Sequence, residues 1–132
     1  MTTFFSSHVL EHLPNPIAVL HEWLRVLKPG GALLFVLPHP DRTFDAGRPL
    51  TQLAHLIDDA EKSVGYEDAT HRPPDLDGME WEKWVANGGV HYHVWTPTEL
   101  IDLLRHLHCQ IAFAAEEAAD RFDSFVVVAR RG

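Results

Sequence analysis

The chain has 132 residues, eleven Lys and Arg against nineteen Asp and Glu, and a formal charge of -8 at pH 7. That length suits one domain burying roughly two-thirds of its unfolded surface, and the acidic balance excludes a sequence-independent nucleic-acid binder, which needs clustered cations. The lone Cys109 excludes a disulfide framework and multi-cysteine zinc patterns, and no apolar run reaches the ~18 residues of a membrane span, so a reducing cytoplasm is the expected address.

Residues 4–37, FFSSHVLEHLPNPIAVLHEWLRVLKPGGALLFVL, set out a strand, a polar crossing, a helix, a stop and a second strand. Phe4 and Phe5 open the first strand, which ends in the polar tip Ser6, Ser7 and His8. Asn15 is placed to cap the helix and Pro16 suits its first turn, while Ile17, Leu20, Leu24 and Leu27 recur at helical spacing, with Val19, Trp23 and Val26 widening the apolar face. Lys28, Pro29, Gly30 and Gly31 end it, because proline cannot continue a helix and glycine accepts a left-handed turn. Ala32 to Leu37 forms the second apolar run. Two strands joined by one helix make a βαβ unit, with parallel strands and a right-handed crossover. Ligands of open α/β sheets sit at the carboxyl ends of strands, so a site belongs near Ser6, Ser7 and His8, and near Pro38 and His39.

The loop PHPDRTFDAGRPLT follows, with His39, Arg42, Asp45 and Arg48 within ten residues. Two readings stand: an arginine fork for a carboxylate or phosphate of a ligand, or charges that pair with one another to order the loop. Thr51 is placed to cap a helix through Leu53, Leu56, Ile57 and Ala60 that stops near Gly65. His55 and Asp58, three apart on it, share a face as metal ligands, an acid/base pair or a surface hydrogen bond.

Residues 66–94 lose clear periodicity and read as a lid over the strand tips, containing THRPPDLDG, a short helix MEWEKWVAN and a Gly88-Gly89 turn. Trp81, Trp84, Tyr92 and Trp95 argue against disorder. The chain holds ten histidines. His91 and His93 alternate as in an extended segment, on one face; with His71, His39 or His55 they either complete a metal site or satisfy loop carbonyls and contact substrate. No standard metal-ligand spacing is present, and no metal site is assigned. Glu11 and His12, as sequence neighbours, point different ways, which makes Glu11 a structural carboxylate.

WTPTELIDLLRHL starts a helix strongly, with Thr96 as cap, Pro97 at the first position and Glu99 completing a capping box; Leu100, Leu103, Leu104 and Leu107 make its core stripe. Cys109, just beyond, reads as a buried structural thiol. Gln110–Ala114 and Ser124–Ala129 read as an antiparallel hairpin around the acidic turn EEAADRFD.

SSHVLEHLPNP followed by LRVLKPGGALLFVLP resembles the second half of a class I S-adenosylmethionine-dependent methyltransferase. The likeness continues through PDRTFDAGRPLT, HLIDD and HYHVWTPTELIDLL, which resemble small-molecule methyltransferases often linked with sugar and cell-surface biosynthesis. It implies a partial Rossmann-like α/β sheet, with the four strands here standing as the family's fourth, fifth, seventh and sixth. It further implies S-adenosylmethionine near Ser6, Ser7 and His8, a small-molecule acceptor near His39, Arg42, Asp45, Arg48, His91 and His93, and His8 or His39 as the base. Members of the family grip the cofactor through a glycine-rich loop, and no GxGxxG-like run occurs among the eight glycines. The resemblance therefore implies a shortened methyltransferase, inactive alone, with a bare first-strand edge that invites a homodimer or higher oligomer. Two other functions compete: a non-catalytic binding or oligomerisation module, and a histidine-based metal-binding protein.

Overall fold

The computed structural model describes residues 3–43, 46–65, 78–87, 91–118 and 121–132. In chain order these form β1 (Thr3–Ser7), a 3-10 turn (Leu10–His12), α1 (Pro16–Val26), β2 (Ala32–Pro38), a second 3-10 turn (Pro40–Arg42), α2 (Leu53–Glu61), α3 (Gly78–Asn87), α4 (Pro97–His106), β3 (Gln110–Ala115) and β4 (Ser124–Arg130). The strands lie in the order β1-β2-β4-β3. β1 and β2 are parallel, from Thr3 opposite Ala32 to Ser7 opposite Val36, and β4 runs antiparallel to both β2 and β3. This is the partial Rossmann-like sheet that the resemblance implies.

The local signals act where the sequence places them. Asn15 Oδ1 accepts from the Ala18 amide at 3.3 Å and Pro16 opens α1, which supplies an orphan amide of the first turn with an acceptor. Gly30 takes φ +79° after the helix, and the Gly31 amide bonds Lys28 O at 2.8 Å, so the chain turns directly into β2. Alternation along β2 and β4 gives each strand a buried face, Leu33, Phe35 and Leu37 on one and Phe125, Val127 and Ala129 on the other. These pack with Leu20 of α1, Leu56 of α2 and Leu100, Leu103 and Leu104 of α4 in one core. Cys109 belongs to the same core, and burial pushes its thiol above the usual range.

Three local expectations are corrected. Thr51 does not cap α2: the cap position is Gln52, which makes no side-chain cap bond, and Thr51 Oγ1 instead accepts from the Val94 amide at 2.9 Å. His55 pairs with Asp59, Nε2 to Oδ2 3.1 Å, while Asp58 pairs with Lys62 at 2.8 Å; a full turn plus a fraction brings i and i+4 together better than i and i+3 for these side chains. His91 and His93 do not share a face: residues 91–96 run without strand pairing, and the two rings go to His12 and to Asp59. Of the lid, α3 and residues 91–94 are described; there Trp81 packs edge-on to Tyr92, ring centroids 5.9 Å apart.

Candidate functional site

Because β4 runs back along β2, its first residue lies beside the carboxyl end of β2, with Ser124 opposite Pro38. Asp123 and Ser124 thereby join the tips of β1 and β2. The His39 amide bonds Asp123 O at 2.7 Å and the His8 amide bonds Val36 O at 2.9 Å, which fixes both histidines to the strand ends.

His8 is the centre of this cluster. Its backbone sits at φ +53°, a left-handed conformation uncommon outside glycine and maintained by the surrounding fold. Its Nε2 lies 2.8 Å from Ser124 Oγ, and Nδ1 lies 3.6 Å from Glu11 Oε2. Ser124 donates its single hydroxyl proton to Asp123 Oδ1 at 3.0 Å. Asp123 is held below its ordinary value: burial alone raises it, and the Ser124 hydrogen bond with the Arg121 guanidinium overrides that. The Ser124 oxygen then accepts from His8 Nε2–H, which leaves the lone pair of a neutral ring on Nδ1. Burial, with Arg121, His91 and His12 acting in the same direction, pulls His8 below 6.5 against the opposing influence of Asp123. A histidine so placed is neutral at pH 7 and able to take a proton.

The remaining residues divide among separate places. Ser6 shares a strand face with Phe4, which stacks on Trp23 of α1 with centroids 4.6 Å apart. Its hydroxyl is buried with no hydrogen-bond partner among the described residues. Ser7 faces the other side of the sheet. His39 uses both ring nitrogens structurally: Nδ1 accepts from the Asp41 amide at 3.3 Å and Nε2 donates to Glu116 Oε2 at 2.9 Å. Arg42 donates to the carbonyls of Glu116 and Phe122, each at 3.0 Å, and so braces the β3–β4 turn. Arg48 donates to the His91 carbonyl at 2.8 Å. Asp45 and His71 lie outside the described residues.

His91 and His93 do not act as one pair. His91 meets His12 edge-on, centroids 4.6 Å apart, and with Glu11 the three form one cluster close to His8. His93 joins Asp59 and His55 instead. Glu11 and His12 thus converge through the 3-10 turn, contrary to the expectation for sequence neighbours. Sequence reasoning missed Asp123, Ser124 and Asp59; only Asp59 carried a local signal, its i+4 spacing from His55.

A family profile described as a methyltransferase domain matches residues 5–112, from β1 into β3. The chain belongs to this methyltransferase family. It is a class I S-adenosylmethionine-dependent methyltransferase-like domain, and members of the family generally use that cofactor. No curated protein matches the chain. Within the methyltransferase domain, the matched region contains His8, His39, Arg42, Arg48, His91 and His93, whereas Asp123 and Ser124 lie beyond it. Among the described residues no helix is long and apolar enough to cross a membrane.

Proposed function

We propose that this domain takes part in methyl transfer from S-adenosylmethionine to a hydroxyl of a small molecule, with His8 as general base. The observation that supports the reading is the Asp123–Ser124–His8 chain of hydrogen bonds at the strand tips of a methyltransferase domain. Ser6, with its buried hydroxyl lacking a partner among the described residues, and Ser7 and His8 beside it would hold the cofactor's near side. S-adenosylmethionine, when bound, supplies an electrophilic methyl group on a sulfonium. His8 Nδ1 would take the acceptor's hydroxyl proton, with Ser124 steadying the ring through Nε2, while the methyl group would exchange its bond to the sulfonium sulfur for one to the acceptor oxygen, leaving S-adenosylhomocysteine. Alignment would supply most of the rate, and the described side chains that would provide it are Arg48, His91, His39 and Arg42. The setting of the reaction is a reducing cytoplasm.

Calorimetry with S-adenosylmethionine tests this reading, and saturable binding is expected. A second reading, a non-catalytic binding or oligomerisation module, is favoured by one feature: the sequence contains no GxGxxG-type run to cradle the cofactor. Absence of any heat of binding at concentrations typical of cofactor sites contradicts the first reading and leaves the second. In either reading we propose a homodimer formed across the edge of β1.

A further inference from the structure

Where α2 meets residues 91–96, three side chains converge apart from the His8–Ser124 pair. Asp59 Oδ2 lies 3.0 Å from His93 Nε2 and 3.1 Å from His55 Nε2, and one ligating atom from each residue falls within 4.8 Å of the other two. We propose that His55, Asp59 and His93 form a divalent-cation site of the zinc class, which clips α2 to the 91–96 segment.

The convergence of one ligating atom from each of the three side chains carries the argument. His93 Nδ1 lies 3.1 Å from Leu13 O, and a carbonyl only accepts, so Nδ1 bears a proton. In a neutral ring Nε2 is then a lone pair facing a carboxylate oxygen at 3.0 Å, two acceptors in contact. Both side chains are almost wholly enclosed, so water does not separate the two atoms. A cation shared between them satisfies both acceptors and also draws in His55 Nε2.

The geometry and chemistry agree with this. In a tetrahedral zinc site with bonds of about 2.0–2.2 Å, ligating atoms stand about 3.3 Å apart. The two measured separations fall within a few tenths of an ångström of that edge. His55 and Asp59, four apart on α2, present ligands from one helix face, as paired metal ligands on helices do. The bond from His93 Nδ1 to Leu13 O is the outer contact that fixes the tautomer of a metal-bound histidine. Two imidazoles and a carboxylate suit zinc rather than calcium or magnesium, which prefer all-oxygen sites. His55 is 44% exposed on its side chain, which gives the ion an entry path and a fourth position open to water.

The site makes no demand on methyl transfer and is tested without it. Protein stripped with chelator is titrated with zinc chloride by calorimetry, with thermal unfolding followed in parallel. Expected are one zinc per chain, a raised Tm, and at least a ten-fold loss of affinity in His55→Gln, whose exposed position lets the variant fold. His12→Gln, in the neighbouring Glu11–His12–His91 cluster, is expected to bind as the wild type does. No zinc binding by the stripped wild type overturns the proposal. So does wild-type affinity in the double variant His55→Gln/Asp59→Asn, or loss of binding in His12→Gln alone.

Discussion

At the scale of single residues, His8 combines an unusual backbone with a tuned ring. Its φ of +53° is tolerated by asparagine as well as histidine, so His8→Asn keeps the turn while removing the base. We expect that variant to fold and to lose methyl transfer by about 10²–10⁴-fold, the usual worth of a positioned general base, with turnover of labelled cofactor as the measurement. Because its folded-state value is depressed below 6.5, the rate rises with pH along a limb centred below 6.5 and is flat through neutrality. The same depression sets a sign for stability: the unfolded state binds the extra proton first. The His8 contribution is therefore complete above 6.5 and is lost as pH falls towards the folded-state value. Urea midpoints for wild type and His8→Asn should thus converge as the buffer is acidified from 7. His8 was legible as a strand-tip histidine, whereas its partners Asp123 and Ser124 were not, because they reach it only through antiparallel pairing more than a hundred residues along the chain.

At the scale of elements, the strongest local signals were those that satisfy backbone groups within a few residues. α4 has the box read from TPTE: Glu99 Oε1 accepts from the Thr96 amide at 2.7 Å and from Thr96 Oγ1 at 2.5 Å. Replacing Glu99 by alanine leaves that amide without its side-chain acceptor, and we expect a loss of about 1 kcal/mol, read as a lower urea midpoint with unchanged slope. The strands and α1 were equally legible, since apolar period and glycine stops are local quantities. The 91–96 segment was not. Its alternation suggested one face for His91 and His93, but without a paired strand to enforce the pleat the two rings separate, one to His12 and one to Asp59. The Thr51 side chain was drawn to the same segment, bonding Val94 rather than its own helix. Long-range partners here override the local capping preference.

At the scale of the whole molecule, the sheet has two unlike faces. One is closed by the helical core. Across the other, register aligns Phe5, Leu34, Val128 and Phe113 in one apolar row from β1 to β3. Phe5 is 62% and Phe113 55% exposed. β1 is also an edge strand among the described strands, so the proposed second copy pairing there would continue the sheet and bring the two copies' Phe5 side chains close together on that open face. Light scattering coupled to size exclusion should give a dimer at micromolar concentration, shifted towards monomer by Phe5→Glu; a strict monomer for the wild type contradicts it. The resemblance made the strand order legible in advance, but which face is left apolar follows only from register. The claim on which the account most depends is that the tips of β1 and β2 form the cofactor edge. Chemical-shift perturbation of labelled protein by S-adenosylmethionine tests it without knowledge of the acceptor. Saturable shifts at the amides of Ser7 and His8 and at the His8 ring are predicted, and saturable shifts confined to other parts of the chain, or none, would contradict it.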